Sequence, residues 1–262
     1  MAQQTQVQRV VPFFNAWIKK FPTLSSLARA SKPDVLAQWS GLGYNSRALR
    51  LHRLAKQVVD GSTARLPRDV ESLRRLPGIG RYTAHAVACF AFGQHVPVVD
   101  VNVRRVFSRV FRKVRSGNEL MPENEIWKLA EKQLPPRHVS EWNQALMDLG
   151  ALVCTARNPR CDACPISSCC ASAFSRGFAR KIPARKNNEP SFKGIPRRLY
   201  RGKILKALHQ KPLTFHQLGR RVVDRFHPRD IKWIEGVARK MELDALITIR
   251  GTGNRKTVQI AQ

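Results

Sequence analysis

Four cysteines, Cys154, Cys161, Cys164 and Cys170, follow the spacing C-x6-C-x2-C-x5-C. Thiols this close together do not suit a spread disulfide framework. They suit the walls of one metal centre. Spacing alone leaves two groups open, a [4Fe–4S] cluster and a four-thiolate structural zinc. Two cysteines are left over. Cys89, in Ala88-Cys89-Phe90-Ala91, reads as a small core residue. Cys169 adjoins Cys170 and competes with it on spacing alone. Cysteines clustered in this way imply a reducing compartment.

A second segment with chemical promise is Leu76-Pro77-Gly78-Ile79-Gly80-Arg81-Tyr82-Thr83-Ala84. Two glycines between helices allow a tight turn and present bare N–H groups at the start of the next helix. Such a turn binds phosphate without reading sequence. An ordinary helix–helix turn has the same look. Some twenty residues on comes Pro97-Val98-Val99-Asp100-Val101-Asn102-Val103-Arg104-Arg105-Val106. There a single carboxylate ends an apolar run and precedes a helix. Taken alone, Asp100 reads as a cap for that helix.

The charge balance narrows the partner. Lys and Arg number 47 against 18 Asp and Glu, a net charge of +29. This excess calls for a polyanion, and nucleic acid fits better than a membrane, since no lipidation motif or basic amphipathic anchor is present. No run of 18 apolar residues exists to span a bilayer. The first residues lack the basic-then-apolar order of a signal peptide. A cytoplasmic, nucleoid-associated monomer is expected.

The elements that must position these residues are mostly helical. Val10-Val11, Phe13-Phe14 and Trp17-Ile18 recur at helical spacing, as do Val35-Leu36 and Trp39. Turn signals fall at Phe21-Pro22-Thr23, Gly41-Leu42-Gly43-Tyr44-Asn45 and Leu66-Pro67-Arg68. No strand-like alternation precedes the cysteines. Residues 176–196, with their prolines and Arg185-Lys186-Asn187-Asn188, read as an extended, solvated linker. Residues 197–262 read as a small α+β module. Its expected helices lie at Gly202–Leu208, Phe215–Gly219 (capped by Thr214) and Ile231–Met241. A hairpin of Leu246–Arg250 and Thr257–Ile260 follows. Three helices and a two-stranded wing resemble a winged helix, with a generic accessory domain as the alternative.

Taken in order, L-P-G-I-G-R-Y-T-A, V-D-V-N-V-R-R-V and the four-cysteine loop resemble the helix-hairpin-helix DNA glycosylases of the endonuclease III superfamily. The adenine-specific mismatch branch is the best match. Its Q-Q-T-Q-V resembles residues 3–7, its W-x-G-L-G-Y resembles Trp39–Tyr44, and its N-Q-A-x-M-D-L-G resembles Asn143–Gly150. The resemblance covers about residues 1–175 and implies a glycosylase domain carrying a [4Fe–4S] loop at 154–170. It implies an enzyme that flips a base out of duplex DNA and hydrolyses its N-glycosidic bond. Asp100 matches the aspartate that stabilises positive charge on the sugar. Tyr82 stands where bifunctional relatives carry a Schiff-base lysine, which implies monofunctional action. Gln4 matches a residue that enters the base stack, and Tyr44 an aromatic wedge. The match also puts Gly78, Gly80, Arg81, Thr83 and Asn102 on the DNA, and Arg157 and Arg160 on its phosphates. It selects Cys154, Cys161, Cys164 and Cys170 as cluster ligands.

Two departures bear on the substrate. The family's general-acid glutamate and first helix would fall before Met1, so the expectation is a start that lies further upstream. The family's usual 8-oxoguanine-recognising domain gives way to the winged-helix-like module. Valine also stands in Val99–Asn102 where the adenine branch often has glycine. The leading expectation is adenine removal opposite guanine or 8-oxoguanine. The alternatives are a thymine or uracil mismatch glycosylase, an oxidised-pyrimidine enzyme, and an inactive DNA-binding protein.

Overall fold

The computed structural model describes residues 1, 5–61, 64–114, 119–175 and 189–261. In chain order its helices begin with α1 (Val7–Lys20), α2 (Leu24–Arg29), α3 (Lys32–Trp39) and α4 (Ser46–Asp60). Then come α5 (Val70–Arg74), α6 (Arg81–Phe92), α7 (Val101–Phe111), α8 (Glu123–Lys132) and α9 (Val139–Asp148). A π-helical turn, Leu149–Val153, extends α9. The remainder is β1 (Ser191–Phe192), β2 (Ile195–Pro196), α10 (Arg197–Leu208), β3 (Leu213–Thr214), α11 (Phe215–Val222), α12 (Ile231–Leu243), β4 (Ile247–Arg250) and β5 (Thr257–Ile260). Among the described residues no strand precedes the cysteines, as the sequence suggests.

The chain divides into two compact units, Met1–Arg65 with Asn187–Gln262, and Leu66–Lys186. In the first, short polar signals start the helices. Thr23 and Ser26 form a reciprocal capping box on α2, and Ser31 caps α3. Trp17 packs edge-on against Phe21 and Trp39 at 4.9 and 5.4 Å, making an aromatic centre for the N-terminal helices. A second core gathers Tyr200, Ile204, Leu218, Ile234, Met241, Ile247 and Val258. Leu36 of α3 and Leu49 of α4 are buried in this same core, so residues 187–262 share an interior with the N-terminal helices.

The C-terminal part holds the three helices and the hairpin that the sequence suggests. It also holds one strand the sequence conceals. β3 pairs antiparallel with β5, giving the order β3-β5-β4. Leu213-Thr214 is too short to show alternation, and Thr214 at the same time caps α11 through a box with Gln217. Residues 176–188 of the expected linker lie outside the described residues. The end of that stretch is a hairpin, β1 with β2, turning on Lys193 and Gly194. Both turn residues have positive φ, +48° and +74°, as a two-residue hairpin loop of the primed types favours. Phe192 leaves this hairpin to stack on Trp233 at 4.8 Å.

Lys193 fastens the hairpin. Its ammonium donates to Asp230 Oδ2 at 2.7 Å and to the Arg225 carbonyl at 2.8 Å. Asp230 is buried, and the same oxygen accepts the His227 N–H. The Lys193 ammonium, and then the His227 N–H, hold the Asp230 carboxyl below its ordinary 3.8. A depressed carboxyl contributes stability above its unfolded pKa and loses it as pH falls through the folded value. Lys193→Ala should therefore lower the melting temperature by several degrees at neutral pH. The gap should close below about pH 3.8, as melting curves across that range would record.

In the second unit, α7, α8 and α9 enclose Val99, Val103, Val106, Phe107, Ile126, Trp127 and Leu146. α6 closes on Gly93 in the left-handed region, a usual helix C-terminal signal.

Candidate active site

The hairpin between α5 and α6 uses its two glycines differently. Gly78 has φ +82°, where a side chain is strained, so it makes the reversal. Gly80 is extended, φ −89°, and a Cβ there would meet nothing within 4 Å. Neither its backbone conformation nor its neighbours require a glycine, so the turn rests on Gly78, which corrects the expectation that both glycines tighten it. Arg81 opens α6 with its guanidinium 4.1 Å from the centre of the Trp127 ring. One turn on, the His85 ring lies 4.4 Å from that indole, and its Nδ1–H donates to the Pro97 carbonyl at 2.9 Å. Burial, more than any neighbour, pushes the His85 pKa down. Thr83 is half-buried on the first turn of α6.

Asp100 caps α7. Its Oδ1 accepts the N–H groups of Asn102 and Val103, and its Oδ2 accepts the Asn102 side-chain amide, all at 2.8 Å. A carboxylate offers about four acceptor positions. Three are filled, and the remaining one is on Oδ2. The cap fixes the carboxylate and leaves one acceptor position on Oδ2 without a partner among the described residues. Tyr82 lies within electrostatic range. Burial and then the Asp100 charge raise its phenol pKa, so the phenol is neutral at physiological pH.

Several residues position this carboxylate; the sequence assigns no role to Asn143, Arg105 or Gly150, and assigns Asn102 to the DNA although its side chain is engaged by Asp100 and Arg105. Asn143 is buried; its Oδ1 accepts the Val98 N–H at 2.8 Å, and its amide donates to the Val96 and Val139 carbonyls. That clamp aims the segment leading to Asp100. Arg105 is buried as well, donating to the Gly150 carbonyl at 2.6 Å, the Cys154 carbonyl at 2.8 Å and Asn102 Oδ1 at 2.8 Å. Asn102 thus bridges Arg105 to Asp100. Gly150 sits in the π-helical turn, and a Cβ on it would lie 2.6 Å from Asn102 Cβ and 3.1 Å from Asn102 backbone. No side chain fits without moving Asn102. Gly150→Ala should therefore cost about 1–3 kcal/mol of stability. It should also slow catalysis by displacing Asn102 from Asp100, which thermal melts and single-turnover rates would both record.

The four cysteines of the C-x6-C-x2-C-x5-C pattern line one pocket, walled also by Val106, Val110 and Leu149. Cys169 is not in that wall; it is exposed and its thiol donates to the Ile166 carbonyl. Burial pushes the Cys170 thiol pKa up, and the other three thiols add to the rise. Among the described residues, no three or more His, Cys, Asp or Glu side chains converge on a single-ion site. Four thiols sharing one wall fit a group that all four could ligate, with Cys169 left outside it. Arg109, 2% exposed, holds the loop, donating to the carbonyls of Thr155 and Ala156 at 2.8 Å and to Cys154 Sγ at 3.3 Å. Arg157 is exposed. Arg160 is also exposed and donates to the Leu152 carbonyl.

Tyr44 belongs to the other unit. It is 62% exposed with φ +47°, so it is a displayed aromatic rather than a core residue. Arg47 reaches over it, 5.5 Å from the ring centre. Gln4 lies outside the described residues.

Residues 1–132 match the family model of the HhH-GPD superfamily base excision DNA repair proteins. The chain belongs to this superfamily. Among its relatives is an adenine DNA glycosylase of Mycolicibacterium smegmatis, 41% identical over 251 residues, which cover 94% of this chain and 79% of the relative. The human adenine DNA glycosylase is 44% identical over 171 residues, covering 65% of this chain and 31% of that longer protein. Among solved structures, a thermostable thymine-DNA glycosylase superimposes with a TM-score of 0.59 at 30% identity, over 64% of this chain and 78% of that one. Against the superfamily frame, the hairpin glycines, Tyr82, Asp100 and Asn102 fall in one unit, and Tyr44 in the other. The buried arginines escaped sequence reading because arginine on a basic chain reads as surface. Their signal was position: Arg105 and Arg109 lie one turn apart beside Val106, on the buried face of α7.

Proposed function

We propose that the chain is a monofunctional DNA glycosylase that hydrolyses the N-glycosidic bond of adenine mispaired with guanine or 8-oxoguanine. The observation that carries this is Asp100, held at the start of α7 with one acceptor edge left over, beside a neutral phenol instead of an amine. As the base departs, positive charge develops on the sugar, and a pre-aimed carboxylate stabilises it without reorganising. Tyr82 carries no amine, so no Schiff base forms and no β-elimination follows. The higher identity to adenine enzymes than to the thymine enzyme supports adenine as the base. The bare mouth of α6 at Gly80, Arg81 and Thr83, with Arg157 and Arg160, would contact DNA phosphates. Tyr44 would stack on an unpaired base, and Gln4 would enter the base stack. Cys154, Cys161, Cys164 and Cys170 would hold a [4Fe–4S] cluster, whose contribution when bound is structural cross-linking of the loop.

The test is strand scission on a duplex with adenine opposite 8-oxoguanine. Scission only after alkali, with no adduct trapped by borohydride, is expected. Scission without alkali would contradict the assignment of Tyr82.

A further inference from the structure

The functional reading gives no part to α12, yet α12 carries the clearest built surface outside the active site. An open groove of about 510 Å3 runs beside it. Arg197, Arg229, Lys232 and Lys240 line this groove with Trp233 and Gly236, and no acidic residue does. Arg229, Lys232 and Lys240 make no ion pair with any described residue. Arg197 faces the Glu189 carboxylate, which is engaged with Arg198. Lys232, Gly236 and Lys240 follow one another at four-residue spacing, so they share a face of the helix. The two lysines stand about 12 Å apart along its axis. Trp233 is immobilised, stacked on Phe192 and edge-on to Tyr200 at 4.5 Å, so this wall is preformed. A glycine within a helix costs stability. Gly236 has no packing reason to be one, since a Cβ there would meet nothing within 4 Å. What it supplies is a bare floor that lets a ligand approach the helix backbone.

We propose that this groove binds the sugar–phosphate backbone of duplex DNA through Arg229, Lys232 and Lys240, as a second contact that supplies affinity rather than chemistry. Unneutralised cations around a rigid, acid-free groove suit a polyanion, and its size suits a chain rather than a single ion. Contacts of this kind hold DNA without reading sequence. The inference rests on the chain acting on DNA, and not on which base it removes.

The experiment titrates the full chain into a fluorescent undamaged duplex at several salt concentrations. Each phosphate contact contributes about 0.9 to the slope of log affinity against log salt. Arg229→Ala/Lys232→Ala/Lys240→Ala should make that slope shallower by about 2–3, with the saturating single-turnover rate unchanged. Gly236→Gln should weaken binding while raising the melting temperature, which separates a blocked floor from a folding defect. An unchanged slope in the triple variant, or undiminished binding by Gly236→Gln, would overturn the proposal. Absence of adenine release by the unaltered chain would instead count against the adenine assignment and leave the slope comparison intact.

Discussion

Asp100→Asn is expected to slow base release by about 10²–10³-fold, with DNA affinity unchanged or tighter. The substitution is chosen for what it preserves. Asparagine is as good a helix cap as aspartate, so the bonds to the Asn102 and Val103 N–H groups survive and α7 keeps its start. The charge is lost, and with it the bond that Oδ2 accepts from the Asn102 side-chain amide, because an amide NH2 cannot accept. A purely structural Asp100 would show the opposite pattern, near-normal rates from a capped and folded variant. Single-turnover kinetics and a binding titration on the same duplex separate the two. The prediction is also asymmetric between duplex and enzyme. Removing a negative charge beside a polyanion cannot weaken phosphate binding, so reduced affinity would point to misfolding.

Arg109→Met is expected to be the most damaging change away from the reacting base. The guanidinium satisfies carbonyls of Thr155 and Ala156 and touches Cys154 Sγ from an almost fully buried position. Methionine fills similar volume but donates nothing, so the half-buried Thr155 carbonyl and Cys154 Sγ lose that donor, while the carbonyl of exposed Ala156 can turn to water. A hydrogen bond to a charged donor contributes about 1.5–3 kcal/mol. Losing such bonds takes a sizeable share of the roughly 5–15 kcal/mol that stabilises a whole domain. The cysteine loop would detach from α7. Because Arg105 ties the same loop to Asn102, the disturbance would reach Asp100. A purified Arg109→Met variant should lose the broad visible absorption that the proposed iron–sulfur cluster would give, melt early and release base slowly. Full absorption with unaltered melting would contradict the clamp.

Much of this was legible in the chain because the chemistry sits in short local patterns. Gly78 is called for by a turn, Asp100 by a helix start, and the thiols by their spacing. The C-terminal helices and hairpin were legible for the same reason, their periodicity being local. What escaped was long-range. Asn143 acts on a segment 45 residues earlier, and Gly150 is required because α7 passes too close for a Cβ. No local pattern states either fact. β3 pairs with β5 across more than forty residues, too short a strand to announce itself. The burial of Leu36 and Leu49 among C-terminal core residues is equally invisible to periodicity, which says that a face is apolar but not what covers it.

The most direct measurement offers the protein four duplexes in parallel, with adenine opposite 8-oxoguanine, adenine opposite guanine, thymine opposite guanine and uracil opposite guanine. Base release is followed under single-turnover conditions and developed with alkali. The account predicts release of adenine from the first two, slowed about 10²–10³-fold by Asp100→Asn, with thymine and uracil retained. Release of thymine or uracil in place of adenine, or an undiminished rate in Asp100→Asn, would contradict it.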